Sequence, residues 1–205
     1  MWLESTSFPD GGVIPEEFVF GVPDPEAHAT FGPNRNPHLA WGDLPAETQS
    51  VFVTCVDGDV PTVADDVNQE NREVPADLPR ADFVHWVIVD LPVQPGEIAA
   101  GEFSSEVTPR GKDGKGPRGR QGVNDYTSWF SGDPDMDGTY LGYDGPCPPW
   151  NDSLMHHYHF TVYAIDVESL NLNARFDGNE ARAAMQGHVL AESEHVGTYT
   201  LNPDL

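Results

Sequence analysis

The sequence predicts a mostly β fold, an antiparallel β-sandwich with a few peripheral helices, one of them near the C-terminus. Three observations carry that reading. Apolar residues fall in strand-length blocks rich in Val, Ile, Phe, Tyr and Trp. The 20 glycines and 19 prolines punctuate the chain at intervals that suit strands joined by turns and long loops. Only one stretch shows a helical period, which puts helices at the edge of a core made of strands. With no internal repeat, the 205 residues read as a single domain over 1–205, long enough to bury one sizeable core.

Taken in order, a weak strand covers residues 18–22 and the first strong one residues 50–56, where Val51, Phe52, Val53 and Val56 surround Cys55. A second strong strand covers 83–91 and a third 157–167, each a run of β-branched and aromatic residues. The helix is expected over 178–193, with Ala181, Ala184, Met185 and His188 at helical spacing and Asp177 or Asn179 available as N-cap. A weak strand over 198–201 closes the chain. Two segments break the pattern. Residues 62–84 hold six acids against two arginines and read as an acidic surface excursion between core strands. Residues 110–120 place Arg110, Lys112, Lys115, Arg118 and Arg120, half of all the cations, in a Gly-rich loop. That loop is either a flexible solvated segment or an arm that steers anions.

The charge balance excludes whole classes of partner. Against 34 Asp and Glu stand 10 Lys and Arg, a net charge of −24. Such a surface repels a phosphate backbone, so no nucleic-acid partner is expected, and an anionic membrane is disfavoured for the same reason. The carboxylates are spread along the whole length and only two cations are lysines, which predicts a salt-adapted, halophilic protein. Neither a basic segment followed by an apolar one at the N-terminus nor an 18-residue apolar run occurs, so a cytoplasmic location is expected. Two cysteines make no disulfide framework and cannot form a four-cysteine metal site.

Three segments carry the chemistry. Asp57-Gly58-Asp59-Val60-Pro61 sets two carboxylates two residues apart at the end of a strand. Extended backbone puts both on one side, where they can bind a cation, orient a histidine or transfer protons, although an Asp-Gly turn would need them only as caps. His85 stands alone in the apolar run Phe83 to Val89 and by itself reads as a core histidine. The loop from Gly142 to Pro149 fixes its backbone with Gly and Pro and can offer N–H groups to an anion. In the strand that follows, His156, Tyr158, Phe160 and Val162 share one face, while His157 and His159 take the other. The three histidines therefore cannot converge on one ion, and no metal is expected there.

These residues together resemble the phosphatidylethanolamine-binding protein family, also called Raf kinase inhibitor proteins, most nearly its bacterial and archaeal branch. The family pattern Asp-Pro-Asp-Ala-Pro stands here as Asp57 to Pro61, and its His-Trp strand as His85-Trp86. Its Gly-Pro-Cys-Pro-Pro loop followed by His-Arg-Tyr stands as Gly145 to Pro149 followed by His156-His157-Tyr158. Gln121 to Asp125 and Gly187 to Ala191 also match in order. The resemblance implies a β-sandwich with a small surface pocket for a phosphate-like anion or phosphorylated headgroup. Carried over by position, its lining would be Asp57, Asp59, Pro61, His85, Gly145, Pro146, His156 and Tyr158. Imidazoles beside carboxylates gain proton affinity and can meet an anion. The family's arginine is His157 here, so one fixed cation is lost. The acidic excursion enters between the aspartates and His85, where it would rim the site.

Three function classes follow. The foremost is a binding protein for small anions, with no cofactor. The alternative is a kinase or protease inhibitor that docks a protein partner at the pocket rim, as the resemblance implies. The third is a hydrolase using Cys147 or an Asp/His pair, for which Cys147 lacks any sequence mark of activation. Relatives in the prokaryotic branch make a homodimer an open expectation.

Overall fold

A computed structural model describes residues 1–205. The strands are β1 (Trp2–Glu4), β2 (Gly12–Val13), β3 (Gly21–Asp24), β4 (His28–Phe31), β5 (Leu39–Gly42), β6 (Ser50–Pro61), β7 (Arg80–Leu91), β8 (Glu97–Ile98), β9 (Arg120–Gln121), β10 (His156–Ile165) and β11 (Val189–Tyr199). Two short α-helices, α1 (Tyr126–Trp129) and α2 (Gly178–Ala184), and a 3-10 turn at Glu16–Phe18 complete the elements. The main sheet has the order β2-β11-β10-β6-β7-β9 and is antiparallel except where β2 joins β11. A small sheet, β1-β5-β8, lies over one face of it, and β3-β4 form a separate hairpin.

Alternation along the central strands explains the layering. Val51, Val53, Cys55, Trp86, Ile88, Phe160 and Val162 point to the side where Leu3, Leu39, Trp41 and Ile98 of the small sheet meet them. Phe52, Val56, Val87, Val89 and Ile165 point to the other, which is covered by Phe176 and by Ala181 of α2. Each such side chain removed from water contributes about 1.5–3 kcal/mol, so two filled faces hold the sheet from both sides. No helix is long and apolar enough to cross a membrane.

The three strong strands lie where expected, but β6 and β7 run longer, to Pro61 and from Arg80. Asp57 to Pro61 is therefore strand rather than turn. The expected helix over 178–193 stops at Ala184. Asp177 is its N-cap, in a capping box with Glu180, and Gly187 at φ +84° turns the chain into β11. The weak strand expected over 198–201 is thus the end of an 11-residue strand. Its first half is Val-Leu-Ala-Glu-Ser-Glu, largely exposed, and residues 189–194 pair with β10 alone. The weak strand over 18–22 divides into the 3-10 turn and β3.

Both unusual segments are tied down. The excursion between β6 and β7 is organised by Asn151, whose side-chain amide donates to the carbonyls of Asp66 (2.8 Å) and Arg72 (3.1 Å) and accepts from the Asn68 N–H (2.9 Å). In the basic loop, Lys112 is drawn inward to Asp144 (2.7 Å), Arg118 to Glu102 (3.1 Å) and Arg120 to Asp90 (3.4 Å). Arg110 donates to the Pro134 carbonyl and Lys115 pairs with Asp113. None of the five lines the cavity described next.

Candidate functional site

A cavity of about 410 Å³ opens where the ends of β6, β7 and β10 meet the hairpin β3-β4, α1 and the excursion. Two irregularities of the sheet shape its floor. Cys55 pairs with Trp86 and Val56 with Val84, which leaves His85 as the extra residue of a bulge on β7. A bulge re-aims a side chain, and here it turns the imidazole into the cavity. A second irregularity follows Asp57, so that Gly58 and Asp59 lie outside the ladder. Register on the other side sets Asp57 directly across from Tyr158.

Asp57, Pro61, His85, His156 and Tyr158 line the cavity. Asp59, Gly145 and Pro146 do not. Asp59 turns to His157, accepting from its backbone N–H (2.9 Å) and meeting its Nδ1 at 2.8 Å. Gly145 is packed behind the wall, where its N–H donates to Asn34 Oδ1 (2.8 Å) and its carbonyl accepts from Tyr126 (2.8 Å). A Cβ at that position would run into the Phe18 carbonyl, so the glycine serves close packing. The same loop instead presents Cys147, Pro148 and Pro149 to the cavity.

The two imidazoles of the floor differ. His156 is buried with both nitrogens engaged, Nδ1 by Asp57 at 2.7 Å and Nε2 by Asp152 at 3.1 Å. Burial pushes this imidazole down, but the hydrogen bonds to Asp152 and Asp57 and the charges of both outweigh it and raise it to about 9. Arg80 backs the cluster with two bonds to Asp152, at 2.6 and 3.1 Å. Burial pushes the Asp152 carboxyl up, and the bonds from His156 and Arg80 more than offset this and hold it below the usual range. Two carboxylates, one imidazolium and one guanidinium thus sum to no net charge, as a buried ionic group requires.

His85 is the opposite case. Its Nδ1 meets the Asp144 carbonyl at 2.8 Å, so that nitrogen carries the proton and Nε2 is left for a ligand. Burial holds this imidazole below its ordinary range despite the nearby charge of Asp57 and the bond to Asp144. Asp144 is itself fixed by Asn34 and Lys112 on Oδ1 and by Asn124 on Oδ2. Beside His85, at 5.2 Å between ring centroids, the buried Tyr158 hydroxyl has no partner in the protein. Cys147 is exposed at the cavity, and the protein packed around its thiol pushes it up to about 12, so it stays protonated at neutral pH.

The rest of the wall is mostly apolar. Phe20, Phe31, Phe83, Tyr126, Trp129 and Phe130 surround the space above the floor. From the excursion come Ala64, Val67 and Asn68. Sequence reasoning missed Asp152, Arg80 and all six aromatics. Asp152 stands four residues before His156, but in an irregular loop no period makes that spacing meaningful, and Arg80 lies 72 residues away.

Known proteins agree with this architecture. The chain is 30% identical over 196 residues to a UPF0098 protein of Aquifex aeolicus, covering 94% of this chain and 92% of the relative. It is 30% identical over 193 residues to the UPF0098 protein YbhB of Escherichia coli, covering 94% and 96%. The crystal structure of E. coli YbcL, described as a member of the mammalian PEBP family, superposes with a TM-score of 0.69 over 97% of both chains at 23% identity, which shows a shared fold. A family model described as phosphatidylethanolamine-binding protein matches residues 4–200, nearly the full length, and the chain therefore belongs to the phosphatidylethanolamine-binding protein family.

Proposed function

We propose that this protein is a binding protein whose cavity takes a small phosphate-like anion or a phosphorylated headgroup, held chiefly by Tyr158 and His85. The observation that carries this reading is the Tyr158 hydroxyl, buried at the cavity floor beside His85 and without a partner. A buried hydroxyl left unbonded costs about 1–3 kcal/mol, which a ligand oxygen accepting its proton would recover. An anion at the same place draws a proton onto His85 Nε2 and turns that nitrogen into a second, charge-assisted donor. His156 stands in a cluster without net charge and offers no free N–H, because both of its nitrogens are engaged.

Calorimetric titration of phosphate and of phosphoethanolamine in molar chloride buffer tests the reading. Saturable binding is expected, weakened about 10-fold or more in Tyr158→Phe, which removes one oxygen and keeps the ring, and again in His85→Ala. Binding that survives both substitutions, or its absence in the folded wild type, would overturn it.

A further inference from the structure

Resting on that reading of the floor, we propose that the ligand carries an aromatic ring on its anionic group and that the six-ring wall above His85 and Tyr158 is the subsite for it. The apolar wall begins directly at the donors. The His85 ring contacts Phe83 at 4.9 Å and Tyr126 at 5.5 Å between centroids. From Tyr126 the rings continue outward without a break. Phe20 stacks on it at 4.5 Å and Phe130 at 5.6 Å, and Phe31 meets Phe20 edge-on at 5.7 Å.

A bare tetrahedral anion would satisfy the floor and leave this space to water. At about 410 Å³ the cavity falls instead in the range that holds whole organic ligands, which are enclosed mainly by apolar walls with a few placed polar groups. The mouth points the same way. Phe31 is 56% exposed and Trp129 48%, both on the cavity, and Val63 beside the lining residue Ala64 is 49% exposed. Two of the large exposed apolar side chains of a very acidic protein, Phe31 and Trp129, therefore flank one opening. Among ligand groups that would cover them, a flat ring gains most, since it can both stack and meet ring edges inside a wall built of aromatics.

The test compares inorganic phosphate, phenyl phosphate and n-butyl phosphate by calorimetry with the wild type, Trp129→Ala and Phe31→Ala. Both substitutions are at half-exposed positions and leave the core intact. Phenyl phosphate is expected to bind about 10-fold or more tightly than inorganic phosphate, with butyl phosphate between them. In each variant the ratio of the phenyl to the inorganic affinity should fall toward one. Equal affinity for phenyl and inorganic phosphate would overturn the ring subsite while leaving the anion floor standing, and so would a butyl ester that binds as well as the phenyl one. If none of the three binds but phenol saturates the cavity, the floor reading fails and the ring subsite survives alone.

Discussion

At the scale of single residues the floor shows how two histidines on the strands either side of β6 come to differ. His156, between Asp57 and Asp152 with Arg80 behind, is held charged, whereas His85, facing a carbonyl and aromatic rings, is held neutral. The folded state binds the His156 proton more tightly than the unfolded chain does. Its contribution is therefore fully present below pH 6.5 and is lost as pH rises to about 9. The loss across that window is on the order of 3 kcal/mol. Urea denaturation in molar salt across it should show falling stability, and Asp152→Asn should flatten the slope. A flat wild-type profile would mean that the imidazole is neutral throughout. Little of this is legible in the sequence. His85 alone reads as a core histidine, and only the family resemblance moves it to a pocket, because nothing in an apolar run announces a bulge. Asp152 and Arg80 are silent because the contacts that give them a role join loops far apart in the chain.

Elements are legible in proportion to their regularity. β6 and the middle of β7 are buried on both faces, and β10 on one face and part of the other, so they carry dense Val, Ile, Phe and Trp, which no loop would hold. β11 is half hidden because its first residues face solvent and carry carboxylates, so that a helical spacing of Ala181, Ala184, Met185 and His188 runs on past the true end. The two-residue strands β2, β8 and β9 have no period to read. The excursion reads as a surface loop, but its anchoring, by the Asn151 amide and by backbone bonds at Val74, is hidden. Asn151→Ala would release the Asp66 and Arg72 carbonyls and the Asn68 N–H together. Limited proteolysis should then cut between residues 62 and 79 several times faster than in the wild type, while the core strands stay resistant. An unchanged cleavage rate would show that Val67 and Val74, both buried, suffice to hold the segment.

For the whole molecule, charge dominates. With a net charge of −24 on a surface whose cations are largely engaged in pairs, self-repulsion opposes the compact state in dilute buffer. At molar salt the Debye length shrinks to about 3 Å and that repulsion is screened. The melting temperature should therefore climb steadily as chloride is raised from millimolar to molar, and unfolding on desalting is the expected extreme. A melting temperature independent of salt would show that the acidic surface is energetically neutral. Composition alone makes this property visible, since net charge requires no knowledge of where the chain goes.

The free side of β11 gives that charge a second meaning. Residues 189–194 offer open backbone groups to any passing strand, the usual start of edge-to-edge aggregation. In dilute buffer two copies would be turned away long before they touched. In molar salt the field reaches only about 3 Å, less than the roughly 4.8 Å between neighbouring strands, so it no longer acts at a distance. What guards the edge then is contact itself. Two copies zipped antiparallel about Ser193 would have to set Glu192 against Glu194 twice over, and the conditions that favour the folded chain would leave its solubility resting on those four carboxylates.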